Sequence, residues 1–212
     1  MADKRVKIVE HFMNDVSLEG AYPKSIFAFC KAHRMKEADF YEYFSTFNSI
    51  EKAVWNDLFA NVASVVESDE VFTEYNARER YLAYCFTLVE HLKKNLTFYR
   101  ISAKRSDVKE ILNSPGLKAL KTSKTFFQNL VQYGVDNDQI KTPDILSQQV
   151  PKLFQLHVGF VIKYFLEDES EGFTETDQAI EKSVRLFFDA LENSLLSSII
   201  DFSKFMGKKA FA

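Results

Sequence analysis

The sequence predicts an all-α protein, and three observations carry that reading. Apolar residues recur at three- and four-residue spacing along the chain, and no run alternates every second residue as a strand would. Six Gly and four Pro in 212 residues leave little material for tight turns, which favours long helices. Aromatic residues reach 15%, with 21 Phe, enough flat rings to fill a helical interior or surround a cavity.

The elements follow in order. A first helix from about Lys4 to Leu18 sets Ile8, Val9, Phe12, Met13 and Val16 on one face. Gly20-Ala21-Tyr22-Pro23 ends it, since Pro cannot continue a helix yet suits the first turn of the next. Ser25 to Ala32 is a short helix with Ile26, Phe29 and Cys30 inward. His33-Arg34-Met35 forms a turn, and Lys36 to Phe44 a third helix. A fourth begins near Asn48 or Ser49, both good caps, and buries Ile50, Val54, Trp55, Leu58, Val62 and Val65.

Longer segments come next. Asn76 to Lys94 places Tyr81, Leu82, Cys85, Leu88, Val89 and Leu92 inward; Thr97 to Ser102 is a short aromatic piece, and Asp107 to Leu112 a further turn of helix. Ser114-Pro115-Gly116 breaks the chain before a helix from Leu117 to about Tyr133, closed by Gly134 and the polar turn Asp136-Asn137-Asp138. Pro143-Asp144 opens a helix to Leu166 that Pro151 should kink or restart. Glu167 to Gly172 is an acidic, solvated loop. Thr174 to about Phe205 is a last long helix whose apolar stripe from Ile180 to Phe202 is wide for one packing face.

Composition narrows the function. A net charge of −3 and a pI near 5.9 give no global field toward nucleic acid, though a local patch remains open. Cys30 and Cys85 lie within apolar helical patterns, so they read as small buried hydrophobes rather than metal ligands or a disulfide. Met1-Ala2-Asp3-Lys4-Arg5 is followed by no apolar run, so no secretory signal is expected, and no stretch is long and apolar enough to span a bilayer. A cytoplasmic protein is expected. The histidines at 11, 33, 91 and 157 show no metal spacing, and no Gly-rich phosphate loop occurs. Asp136 to Ile140 resembles part of a calcium loop but lacks its sixth-place Gly and twelfth-place Glu, position 147 being Ser. Neither an enzyme nor a cofactor is expected.

Three short helices in about 45 residues, followed by a long one, suggest a DNA-reading head on a larger body. Gly20 with Pro23-Lys24-Ser25-Ile26, Phe29-Cys30, Met35, and Phe40-Tyr41-Glu42-Tyr43-Phe44 leading into Ser45-Thr46-Phe47-Asn48-Ser49-Ile50 carry a resemblance to the TetR family. The aromatic block is similar to that family's Leu-Tyr-x-His/Tyr-Phe, and Gly134 to Ile140 to its Gly-x-x-x-Gly-x-Ile turn. The resemblance implies a three-helix helix-turn-helix head over residues 1–50 and a helical ligand-binding and dimerisation body over 51–212. It further implies a homodimer through the last two long helices. In such motifs the second helix of the pair lies in the major groove. On that reading Lys24, Ser25, Lys36, Tyr41, Tyr43 and Thr46 are the DNA-contact candidates: Lys24 and Thr46 hold phosphate, Ser25 caps helix two against the backbone, and Tyr41 and Tyr43 approach phosphate or base edges. For Tyr41 and Tyr43, plain packing explains the sequence equally well.

The head departs from the family pattern in charge. Arg34 stands where the turn glycine would be, so a positive φ is expected there. Lys36-Glu37-Ala38-Asp39 replaces the usual Ser-Lys-Gly-Thr, and Phe47 replaces a phosphate-contacting Lys. Residues 1–52 hold eight Lys plus Arg against eight Asp plus Glu. For the body, Tyr81, Cys85, Tyr99, Phe126, Phe127, Phe154, His157, Phe160 and Tyr164 are candidates to line an apolar site, and core packing explains each as well. The resemblance thus implies a regulator that binds a DNA operator and a small hydrophobic or aromatic ligand. An alternative is a TetR-fold protein that has left DNA and binds a lipid or another hydrophobic molecule.

Overall fold

The structure is a computed structural model that describes residues 2–104, 119–141 and 150–192. The expected features at Asp107 to Leu112, Ser114-Pro115-Gly116, Pro143-Asp144 and beyond Glu192 lie outside the described residues. All regular structure within them is helical. Two compact units emerge, one of residues 1–61 with 90–122, the other of residues 62–89 with 123–212.

The first unit opens with α1 (Ala2–Glu19), which buries Ile8, Phe12 and Val16 at four-residue intervals. Gly20, at φ 68, closes it, and its N–H donates to the Val16 carbonyl at 3.0 Å. Next come α2 (Ile26–Ala32) and α3 (Glu37–Tyr41). The third helix is shorter than the Lys36 to Phe44 expected, although helical hydrogen bonding persists to Phe44, whose N–H donates to Phe40. In α4 (Phe47–Glu67) the cap is Thr46, one turn ahead of the positions expected. The Ser49 N–H donates to Thr46 Oγ1 at 3.1 Å, and the Thr46 N–H donates to Ser49 Oγ at 3.2 Å, a reciprocal cap. Burial at the far end of α4 falls on Val66, while Val65, expected inside, is 48% exposed. Four rings knit this unit: Phe47 lies within 5.4 to 6.0 Å of Phe12, Phe29 and Phe40. α6 (Leu96–Lys104) packs on α1 through Phe98, whose ring meets Phe12.

In the second unit, α5 (Ala77–Lys93) supplies Tyr81, Tyr84 and Cys85, all fully buried. α7 (Lys124–Asp136), α8 (Val150–Glu167) and α9 (Thr174–Glu192) complete its core, α8 packing on both α7 and α9. Pro151 is the second described residue of α8 and is buried; the expected kink or restart there involves residues outside the described ones. Gly134 of α7 is forced by packing: a Cβ there would lie 2.5 Å from Ile140 Cδ1. The Gln139 and Ile140 N–H groups both donate to the Gly134 carbonyl, and Asp138 takes φ 59 in the turn between. The loop before α9 is not wholly solvated, because Asp168 is 5% exposed and accepts from the Thr176 N–H at 2.9 Å and the Ser170 N–H at 2.8 Å.

Candidate functional site

The helix-turn-helix is built on a closed turn. Ser25 is extended, at φ −157 and ψ 155, and its Oγ accepts from the Ala28 N–H at 3.1 Å, so it caps α2 within the protein itself. At the other end Met35 N–H donates to the Cys30 carbonyl at 2.9 Å, and Arg34 N–H to the Lys31 carbonyl at 3.3 Å. That pairing is a Schellman motif, and its left-handed residue is Arg34 at φ 53, where glycine is the usual choice. The positive φ expected from the sequence is present.

Charges sort themselves across this turn. Residues 20–36 contain Lys24, Lys31, Arg34 and Lys36 and no acid, and all four cations are exposed. The three carboxylates that follow are not equivalent. Asp39 Oδ1 accepts from Lys4 Nζ at 2.9 Å, and its other oxygen accepts from the Lys36 N–H at 3.4 Å. The Lys4 hydrogen bond, with the Lys36 N–H behind it, holds the Asp39 carboxyl below the usual range. Asp39 is therefore a tether between α1 and the start of α3, whereas Glu37 and Glu42 stay exposed.

Of the six DNA-contact candidates, Lys24, Ser25, Lys36, Tyr41 and Thr46 are exposed, Tyr41 at 54%, and Tyr43 is half-buried. Thr46 also caps α4. Behind α2, the His11 and His33 rings stack at 4.1 Å, and His33 Nε2 lies 2.9 Å from Asp15 Oδ2. Burial first, and the neighbouring His33 second, hold the His11 imidazole below its ordinary pKa.

The body candidates divide into three groups. Tyr81, Phe127, Phe154 and His157 meet: the Tyr81 ring lies 4.7 Å from Phe154 and 6.3 Å from Phe127, and its hydroxyl is 2.8 Å from His157 Nδ1. Cys85 joins them through a hydrogen bond with Tyr81, and burial pushes its thiol up to about 12. The thiol is thus a packing group, not a nucleophile. Burial lowers His157 to about 4, so the imidazole is neutral, and its Nε2 is buried with no hydrogen-bond partner. Phe126 stacks on Tyr84 and joins the edge of this cluster through Phe127, 5.5 Å away. Phe160, 46% exposed, and Tyr164 continue along α8 from His157. Tyr99 belongs to the first unit, where it packs on Trp55 at 4.8 Å.

Sequence reasoning missed two groups. Phe187 stacks on His157 at 5.4 Å and touches Phe154, as its place in the α9 apolar stripe allowed. The other is a buried polar chain in the first unit: the Trp55 indole N–H donates to Ser102 Oγ at 3.0 Å, and the Ser102 hydroxyl donates to Glu51 Oε1. Glu51 is 3% exposed. Its signal was its position one turn before Trp55, on the buried stripe of α4.

Among the described residues no His, Cys, Asp and Glu group is arranged for a metal ion, and no helix is long and apolar enough to cross a membrane. No curated protein matches the chain. The crystal structure of a bacterial regulatory protein in the tetR family from Rhodococcus RHA1 is similar to it, with TM-score 0.58 and 13% identity over 90% of this chain and 98% of that one. At that identity the likeness is one of fold. Residues 80–206 match the family described as tetracyclin repressor-like, C-terminal domain. That match spans more than half of the sequence, on a fold followed along nine-tenths of its length, and the chain belongs to the TetR family.

Proposed function

We propose that this protein is a transcriptional regulator whose α2–turn–α3 head binds an operator as a homodimer, under the control of a small hydrophobic ligand. The observation that carries the reading is the exposed cluster of Lys24, Lys31, Arg34 and Lys36 on the helix-turn-helix itself, with no acid among residues 20–36. Those cations can neutralise phosphate locally even though the whole chain is acidic. The pairing of Asp39 with Lys4 removes one of the three carboxylates that would oppose DNA.

Dimerisation is supported by apolar residues left exposed on the second unit. Leu156 and Phe160, one turn apart on α8, are 50% and 46% exposed, and Leu186 on α9 is 71% exposed. Ligand control is supported by the aromatic cluster around His157. Its unpartnered Nε2 suits a largely apolar molecule with one hydrogen-bonding group.

The test is binding of the purified protein to the DNA upstream of its own gene across a salt series. A sequence-specific complex that weakens steeply with salt is expected, and Tyr41→Ala should weaken it. Failure to prefer that DNA over a shuffled duplex, even at roughly 50 mM salt, ends this reading.

A second reading has its own support: Glu37 at the start of α3 and Glu42 at its C-cap are both exposed on the element that would enter the groove. On it the protein keeps the fold and binds a lipid or similar hydrophobic molecule without DNA. Native mass spectrometry of freshly purified protein should then show a retained hydrophobic molecule, and a clean apo mass would count against it.

A further inference from the structure

Phe27 is the one aromatic side chain of α2 that the fold does not use. Phe29 and Cys30 of the same helix are buried, at 1% and 2% exposure, while Phe27 is 64% exposed. A polar residue at this second helical position would serve α2 equally well, since the helix packs through Phe29 and Cys30 instead. The neighbours of Phe27 in sequence from Gly20 to Lys36 include four cations and no acid. Lys31 is one turn further along the same face, Lys24 precedes the helix, and Arg34 and Lys36 follow it, with no acid among residues 20–36. Among the described residues, none of these four cations forms a salt bridge.

An exposed apolar ring within unpaired cations is complementary to a polyanion that also presents apolar edges. Duplex DNA has both: phosphates on its backbone, and deoxyribose faces and thymine methyl groups along the groove wall. In a helix-turn-helix the first helix of the pair crosses the backbone beside the groove, which brings the start of α2 to that wall. We infer that Phe27 is a DNA-contacting residue that packs its ring on the apolar groove wall while Lys24, Lys31, Arg34 and Lys36 lie against phosphates. This rests on the regulator reading above and adds to it a contact of different physical character.

That character is what the experiment reads. An apolar contact releases no counterions, so its removal lowers affinity without altering the salt dependence, whereas removal of a phosphate-bound Lys flattens it. Full-length wild type, Phe27→Ala, Phe27→Leu and Lys31→Ala are titrated by fluorescence anisotropy against a duplex spanning the DNA upstream of the gene, and against a shuffled duplex. Phe27→Ala should lose about tenfold in affinity for the upstream duplex, with an unchanged salt slope and an unchanged thermal midpoint. Phe27→Leu should recover most of the loss, and Lys31→Ala should reduce the slope by about one. A duplex with uracil in place of thymine separates the two apolar sources. Wild type weakens on it if the methyl groups are the contact and holds if deoxyribose is, and either result stands with the inference.

Wild-type discrimination retained in full by Phe27→Ala overturns the inference and leaves the regulator reading standing. A Phe27→Ala protein that changes its oligomeric state also overturns it, since the ring would then belong to a protein contact. Absence of any wild-type preference for the upstream duplex removes the regulator reading and this inference together.

Discussion

The Tyr81 hydroxyl and His157 Nδ1 lie 2.8 Å apart, 76 residues from each other in sequence, and this contact ties α5 to α8 inside the aromatic core. The Tyr81 hydroxyl also lies 3.2 Å from the Phe154 carbonyl, to which its proton can be donated. His157 is walled by Phe187 and Phe160, and burial holds its pKa near 4. A protonated imidazole there would add a buried charge with no counter-ion to meet it among the described residues.

Stability should therefore fall with acid in a window set by His157. Its folded pKa of about 4 lies below the unfolded value of 6.5. Above pH 6.5 both states are neutral and the residue has no pH effect. As pH falls below 6.5 the unfolded chain takes the proton and the native chain does not, so stability drops until about pH 4. Full protonation of the unfolded state would cost about 3 kcal/mol, of which about 2 kcal/mol should be gone by pH 5. Denaturant titrations of wild type and His157→Phe at pH 7.5, 6 and 5 isolate this from carboxylate titration, because only wild type carries the His157 slope. Parallel pH profiles for the two proteins would show that the imidazole is solvated.

Arg34→Gly should stabilise the head. Arg34 sits at φ 53 with its side chain exposed, so nothing but backbone strain changes when it becomes glycine. The Schellman bonds from Met35 and Arg34 N–H groups are kept. A gain of about 0.5 to 1 kcal/mol in unfolding free energy is expected, with Arg34→Lys, which keeps the strain, showing none. Equal stability of the glycine and lysine variants would mean that the turn relaxes away from positive φ.

The head was largely legible because its signals are local. The Ile8, Phe12, Val16 stripe, the inward Phe29-Cys30 pair and the left-handed residue at Arg34 each follow from spacing or from a position in a turn. The end of α3 was not legible, because Phe40 and Phe44 keep helical spacing whether or not the helix continues past Tyr41. Asn48 and Ser49 were the caps expected, and the reciprocal bonding of Thr46 with Ser49, which sets the cap at Thr46, is not visible in residue type alone. The exchange of Val65 for Val66 is a one-residue drift in phase along a long helix. Glu51, Ser102 and Asp168 escaped because a polar residue on an apolar face reads as solvated until its partner, distant in sequence, is known. The body was legible as helices but not as a site: Tyr99 looks like Tyr81 and Phe154 in sequence and packs in the other unit, on Trp55.

Ser102→Ala should damage the first unit out of proportion to one lost oxygen. It strips a partner from the Trp55 indole N–H and from the buried Glu51 carboxylate at once. Leaving both unsatisfied costs about 2 to 4 kcal/mol. Trp55 is the single Trp of the chain, so fluorescence reads this site alone. Its emission should shift in the folded variant, and Glu51→Gln in the Ser102→Ala background should recover part of the loss by removing the charge. A Ser102→Ala protein with wild-type stability and emission would mean that water reaches Glu51.

The three carboxylates of the reading helix should respond in opposite senses when neutralised. Glu37 and Glu42 are exposed and oppose phosphate, so Glu37→Gln and Glu42→Gln should each tighten binding to the upstream duplex by about two- to fivefold, more at low salt than at high. Asp39 instead anchors Lys4 of α1 and the N–H of Lys36, the N-cap of α3. Asp39→Asn removes a negative charge as the other two do, yet it loosens the start of α3 and frees Lys4 from its partner. Its net effect should be weaker binding, with a lower thermal midpoint that the glutamine variants do not share. The comparison separates charge from architecture on one short helix. If all three substitutions tightened binding alike, Asp39 would be one more repulsive charge and the Lys4 tether would have no part in positioning α3.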